Sequence, residues 1–306
     1  MGTPDFAVPA LRALTKTEVT LLAVVTQPDR PKGRGRKVAP PPVKEVALEQ
    51  GLQVLQPESA SNPEFIEEIR KMSPDLLVVV AFGQILKKAL LEVPSWGAVN
   101  IHASLLPKYR GAAPIQWAIL NGESKTGLTA MMMDEGMDTG PVIRQMEIAI
   151  EPYETGGHLH DRLSSLAGPF LIDVLHSLTR GDYSLEVQDD SLATYAPKIT
   201  RDMAKIEWNR SAGEISCKIR AFDPWPGAFS FVNGKQVKLF GITGVEEGLV
   251  EAEPGMVLGF DSSGVRVQAR DGVVTIGEMQ LPGKKRMRVA EIVKGFSLRP
   301  GDKFQA

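Results

Sequence analysis

The feature that most constrains this chain is a rhythm confined to the residues before Gly181. Short, strand-sized apolar runs alternate there with segments that carry helix signals. Residues 19–25 (VTLLAVV), 53–55, 76–81 and 99–102 read as strands. Residues 42–50 read as a helix closed by Gly51, and Ser61-Asn62-Pro63-Glu64 as a helix start, with a polar cap, Pro in the first turn and acids near the positive helix end. Helices are also predicted over 112–120 and 157–178, the second kinked at Pro169. Two further strands, 126–132 and 142–150, enclose a turn containing Gly136 and Gly140. This alternation predicts an α/β domain over residues 1–181, with an open, mostly parallel, Rossmann-like sheet covered by helices on both faces.

The pattern then changes. Residues 182–200 are polar and irregular and read as a linker. A helix over 212–221 follows, and then short strands between closely spaced turn signals such as Asn233-Gly234, Pro254-Gly255 and Asp271-Gly272. That spacing predicts a small, OB-like β-barrel within a second domain, 201–306, and 306 residues suit two domains. At the other end, Gly2-Thr3-Pro4-Asp5 looks like the turn that follows a first strand, and the sequence starts after that strand. The expectation is a sheet lacking its first strand, with exposed apolar edges.

Composition narrows the class. The apolar runs are strand-sized, which predicts no membrane association, and the first ten residues show no signal-peptide pattern. A single cysteine, Cys217, excludes an internal disulfide and suits a reducing cytoplasm; its amphipathic surroundings suggest a structural thiol. Residues 1–199 carry a net charge of −5 and residues 200–306 one of +3, a weak pointer to a polyanionic partner.

Asn100 and His102 lie two apart on a strand, so their side chains leave the same face, at the carboxyl end where open α/β sheets bind ligands. They could equally be polar residues satisfied by nearby backbone. Asp138 sits in the glycine-flanked loop Met133-Asp-Glu-Gly-Met-Asp-Thr-Gly140, either aimed into a cleft or serving as a turn residue. Asn, His and Asp together suit attack on a carbonyl, where donors stabilise the growing oxyanion. Gly-x-Ser-x-Gly is absent, so direct transfer between two bound substrates fits better than a covalent intermediate. Cys-x-x-Cys, His-Glu-x-x-His and Gly-x-Gly-x-x-Gly are absent as well, so neither a metal nor a dinucleotide is expected. The stretch 28–37 places Arg30, Lys32, Arg34, Arg36 and Lys37 in a long loop read as mobile and cationic. A second basic cluster, Lys284-Lys285-Arg286-Met-Arg288, lies in the second domain. Two such patches suit a nucleic-acid backbone.

Taken together, GTPDFAVP at 2–9, TQPDRPKGRGRK at 26–37, NIHASLLPKYRGAAPIQWAI at 100–119, MDEGMDTGPV at 133–142, TYAPKIT at 194–200 and FDPWPGAF at 222–229 resemble the methionyl-tRNA formyltransferase family, from Gly2 into the C-terminal region. The Asn-x-His, SLLP and Asp-Thr-Gly segments are common to folate-dependent formyltransferases; the basic loop and the FDPWPGAF domain point to the tRNA branch. The resemblance implies a formyltransferase fold and formyl transfer from 10-formyltetrahydrofolate to methionine on initiator methionyl-tRNA. It implies Asn100, His102 and Asp138 as the catalytic set and Ser104, Leu105, Leu106 and Pro107 as folate-binding residues. It also implies tRNA contacts from Lys32, Arg34, Arg36, Lys37, Lys198, Arg201, Lys284, Lys285 and Arg286. The expected state is a monomer. The rival readings are a folate-dependent formyltransferase acting on a small amine or amino sugar, a formate-releasing hydrolase, and a non-enzymatic RNA-binding protein.

Overall fold

A computed structural model describes residues 1–32, 37–248, 252–293, 295 and 298–305. The chain divides into two compact units, each built from separated stretches: 1–111, 126–148 and 160–196 in the first, and 112–125, 149–159 and 197–306 in the second.

The first unit carries its sheet in two pieces. Val24–Val25 pairs in parallel with Val54–Leu55. A four-stranded piece runs in the order Leu77–Val79, Ala98–His102, Lys125–Met132, Val142–Ala149. Leu77–Val79 and Ala98–His102 are parallel, with Val79 opposite Asn100. Ala98–His102 and Lys125–Met132 are antiparallel, with His102 opposite Thr129. The sheet is therefore mixed, not mostly parallel. Apolar pattern marks a strand as buried, but it does not encode the direction of the neighbouring strand.

Between the two pieces stand Met1 and Gly2. Gly2 N donates to Val25 O (3.0 Å), Val80 N to Met1 O (2.9 Å), and the Met1 amine to Val78 O (2.6 Å). Beyond them a cavity of about 460 Å³ opens, lined by Leu11, Leu14, Leu22, Ile69, Leu76 and Trp96 among others. Burial in this apolar place lowers the pKa of the Met1 amine from 8.0 to about 5. The run 19–25 faces the same gap. Only Val24 and Val25 join a ladder, while Val19 and Leu22 are each 42% exposed. The helix Pro63–Met72 begins as its sequence dictates, with Asn62 Oδ1 accepting from Glu64 N, and it buries Phe65, Ile66 and Ile69 in a cluster with Leu77 and Val79. Helix Gly156–Arg180 runs as one element across Pro169.

In the second unit the helix Ala212–Ala221 starts in a capping box formed by Ser211 and Glu214, and packs against the helix Pro114–Leu120. Its sheet is antiparallel, in the order Phe229–Val232, Lys235–Glu247, Gly272–Gln280, Val265–Gln268, Val257–Phe260, and Arg286–Arg288 also pairs with Gly272–Gln280. Asn233-Gly234 turns the first hairpin with both residues at positive φ, the geometry that makes Asn-Gly a hairpin signal. Val237, Leu239, Val267, Val274, Ile276 and Phe304 fill this core.

Candidate active site

The strand Ala98–His102 is buried along its whole length. Its two polar residues therefore need partners. Asn100 Nδ2 lies 3.5 Å from Asp138 Oδ1, a long hydrogen bond. His102 Nε2 lies 2.9 Å from Tyr109 O. A carbonyl only accepts, so Nε2 carries the proton and Nδ1 is the nitrogen turned to Asp138 Oδ2, 3.7 Å away. Asp138 Oδ2 also accepts from Gly111 N at 2.8 Å. Three residues of the one stretch 100–111 thus converge on one carboxylate, and the side chains of His102 and Asp138 keep only 7% and 16% exposure.

This carboxylate is aimed by an uncommon backbone. Asp138 has φ of 57°, a left-handed conformation that costs roughly 1–3 kcal/mol outside glycine. Gly140 is required two residues on, because a Cβ there would run into Met132 O. Gly111 has φ of 123°, and a Cβ on it would come 2.8 Å from Ala196 O. The glycine that ends the Tyr-Arg-Gly segment is what lets a backbone N–H reach Asp138.

The SLLP turn is fixed by residues that its own sequence does not contain. Thr129 Oγ1 donates to Ser104 O (2.6 Å) and accepts from Leu106 N (3.1 Å). Gln145 Nε2 donates to Leu106 O (2.7 Å) and to Thr129 Oγ1 (3.0 Å). Ser104 is fully buried, donating its hydroxyl to Lys108 O, and Leu106 packs on Met131 and Val142. Leu105 and Pro107 stay half-exposed. Of the four residues read as folate-binding, two offer surface and two build the turn.

The two ends of the basic segment 28–37 are paired. Arg30–Lys32 and Lys37–Ala39 pair as an antiparallel hairpin. Its foot is pinned where Lys44 Nζ donates to both Asp29 oxygens (2.8 Å each) and to Gln56 Oε1 (2.7 Å). The hydrogen bond from Lys44, followed by one from Gln56, holds the Asp29 carboxyl below the ordinary range. Arg34 and Arg36, and the side chains of Lys32 and Lys37, lie outside the described residues. An open cavity of about 630 Å³ adjoins the hairpin, lined by Thr3, Gln27, Arg30, Pro31, Ala81 and Phe82 among others. Ala81 and Phe82 follow the strand Leu77–Val79, so this cavity opens at the same carboxyl edge as His102.

The remaining basic residues belong to the second unit. Lys198, Arg201, Lys284 and Lys285 are exposed. Arg286 differs from its neighbours. Its guanidinium forms a bidentate pair with Asp223 (2.7 and 2.9 Å), donates from Nε to Glu278 (2.6 Å) and lies 4.4 Å from the centre of the Phe240 ring. Its donors pair with carboxylates, and its side chain stays 37% exposed. Among the described residues no group of three or more His, Cys, Asp or Glu could hold a metal, and no helix is long and apolar enough to cross a membrane.

Comparison with known proteins fits this arrangement. Residues 1–175 match the Formyl transferase family and residues 198–297 the Formyl transferase C-terminal domain. The methionyl-tRNA formyltransferase of Geobacter sulfurreducens is 48% identical over 304 residues, covering 99% of this chain and 95% of that protein. That of Ruminiclostridium cellulolyticum is 44% identical over 305 residues, covering 99% and 98%. Among solved structures, an N-formyltransferase from Helicobacter canadensis, in complex with folinic acid and dTDP-3-aminofucose, shares the fold with a TM-score of 0.66 at 21% identity, covering 94% of this chain and 97% of that one. With both family domains present in order and relatives of this identity along nearly the whole length, the chain belongs to the formyl transferase family.

Proposed function

We infer that this chain transfers the formyl group of 10-formyltetrahydrofolate to the α-amino group of methionine on initiator methionyl-tRNA. The observation that carries the reading is the convergence of Asn100, His102 and Gly111 on Asp138 at the carboxyl end of a buried strand. Full-length identity of 44–48% to methionyl-tRNA formyltransferases supports the substrate pair.

The neutral amine attacks the formyl carbon, the bond from that carbon to folate N10 breaks, and the amine's proton is passed on to N10. Asn100 spends one amide N–H on Asp138 and keeps the other for the oxygen that gains charge. His102 has its Nε2 proton fixed on Tyr109 O, so Nδ1 is the nitrogen that exchanges a proton with the reacting groups or a water. Asp138 sets the ring's orientation and supplies the negative charge that stabilises a second proton on it. Leu105 and Pro107 form the folate wall on the turn that Ser104 and Leu106 hold in place. The basic segment with Lys32, Arg34, Arg36 and Lys37 approaches the acceptor end of the tRNA, with the cavity beside Arg30 and Pro31 open to the methionyl group. Lys198, Arg201, Lys284 and Lys285 contact the backbone further along. Catalysis is assigned to residues 1–181 and tRNA binding chiefly to 201–306, with 182–200 between them and the six strands closing as an OB-like barrel. The enzyme acts as a cytoplasmic monomer.

The test is formylation of charged initiator tRNA with 10-formyltetrahydrofolate, using charged elongator methionyl-tRNA as the control. Product on the initiator and little on the elongator is expected. Equal rates on both would remove the initiator-specific reading, and free formate without formylated tRNA would make the chain a hydrolase.

A further inference from the structure

Gln188 belongs to the polar stretch that the sequence presents as a linker, yet its side chain is built into the loop that aims Asp138. Its amide nitrogen donates to Asp138 O at 2.9 Å and to Gly140 O at 2.7 Å. Its amide oxygen accepts from Arg110 Nε at 3.1 Å and from Arg110 Nη2 at 2.8 Å. Both donors and both acceptor positions of one amide are therefore in use. Arg110 is 2% exposed, and it also forms an ion pair with Asp190, two residues beyond Gln188. Arg110 is also backbone-paired here: Arg110–Gly111 runs parallel to Tyr195–Ala196, and Arg110 N donates to Thr194 O.

A guanidinium has donors and no acceptor. Arg110 therefore selects one orientation of the Gln188 amide, with oxygen towards itself and N–H groups towards the 138–140 loop. Those two N–H groups hold the carbonyls on either side of Thr139, and so hold Asp138 at its positive φ. Gly111, next to Arg110, supplies the N–H that receives the Asp138 carboxylate. The two arms meet on one residue: Arg110 and Gln188 fix its backbone, and Gly111 fixes its side chain.

We propose that Gln188, oriented by Arg110, is a positioning residue for formyl transfer, and that the 182–196 segment is a working part of the active site rather than a tether. The proposal rests on the reading of Asp138 as a participant in the transfer. Gln188 touches no reacting atom. Its effect runs through the placement of Asp138 against His102 and Asn100, where a displacement of about 1 Å costs on the order of 10²-fold in rate.

The experiment uses the full chain in the initiator-tRNA formylation assay, with Gln188→Leu and Gln188→Glu. Leu removes both halves of the clamp. Glu keeps an acceptor for Arg110, preserving that pair, but sets carboxylate oxygens against two carbonyls. Both variants are expected to lose about 10- to 100-fold in kcat with KM for tRNA and folate within about threefold. Gln188→Glu should retain the wild-type melting temperature within a few degrees, which a merely structural role would not combine with lost turnover. In an Asp138→Ala background Gln188→Leu should cost nothing further in kcat, because it acts through the residue already removed. Near-wild-type kcat in Gln188→Glu would overturn the proposal, as would losses that multiply in the double variant. Normal turnover by Asp138→Ala alone would overturn the reading beneath it too, so the two failures are told apart.

Discussion

The Ala98–His102 strand and the Leu77–Val79 strand beside it are finished in opposite ways. At the carboxyl end of Ala98–His102, the side chains of Asn100, His102, Asp138, Arg110, Gln188, Thr129 and Gln145 all have hydrogen-bonding partners in the fold. On the open flank of Leu77–Val79 the contacts with Met1 and Gly2 give way to an apolar cavity of about 460 Å³. The first region holds a strained backbone in one geometry; the second leaves strand edges and apolar surface without close packing. Preorganised dipoles lower a reaction barrier only if they are already in place when charge develops. Packing density contributes to stability and can be lost locally without moving those dipoles. The sheet is therefore tightly specified around Asp138 and loosely packed a strand away.

The largest effect that separates the two regions is on turnover. His102→Ala and Asp138→Ala should each lower kcat by roughly 10²- to 10⁴-fold. The KM for tRNA should change little, since neither residue belongs to a basic patch. Asp138→Ala should also lower stability by about 1–3 kcal/mol, because Ala suits the left-handed backbone less well than Asp and Gly111 N loses its acceptor. Steady-state kinetics with a melting curve for each variant checks this. A His102→Ala enzyme of near-normal rate would remove that residue from the mechanism.

The second effect belongs to the gap and should appear in stability rather than turnover. The Met1 amine has a pKa of about 5 when folded and an ordinary value of 8.0. Between those values the unfolded chain binds a proton that the folded chain does not, so stability rises with pH. The contribution is fully present above pH 8 and is lost as pH falls towards 5, at a slope of about 1.4 kcal/mol per unit. Denaturant midpoints taken across that range should show it. Acetylating the α-amino group should flatten the slope, as the amide still has a proton for Val78 O and the cavity has room for the acetyl group. An unchanged slope after acetylation would place the titration elsewhere.

The same contrast explains what could be read from the sequence. Asn100 and His102 were legible because a strand has a period of two, and Asp138 because a Gly-flanked acid is a recognisable loop residue. The caps at Asn62 and Ser211 were legible for the same reason: each is a local pattern. Thr129, Gln145, Arg110 and Gln188 were not, since their bonds join positions 16 to 78 residues apart, and nothing local distinguishes a glutamine in a polar stretch from one in solvent. Strand direction was also hidden, because Lys125–Met132 is as buried as a parallel neighbour would be. The run 19–25 reads as one strand, but only Val24–Val25 pairs, because how much of an apolar run pairs depends on what lies beside it.

That last point gives the smallest and sharpest prediction. Leu22 and Leu77 are the same residue type, both lining the same cavity, and a sequence reading weights them equally. Leu77 is 7% exposed and belongs to the cluster with Phe65, Ile69 and Val79, so Leu77→Ala should cost about 2–5 kcal/mol, the range for a packed core leucine. Leu22 is 42% exposed and borders space already empty. Truncating it deletes few close contacts and creates little new cavity, so Leu22→Ala should cost under about 1 kcal/mol. Equilibrium unfolding of the two variants side by side measures the difference. Equal costs would mean that residues 19–25 are packed as a true sheet strand in solution, and the contrast between the two regions would then shrink to a difference in polarity alone.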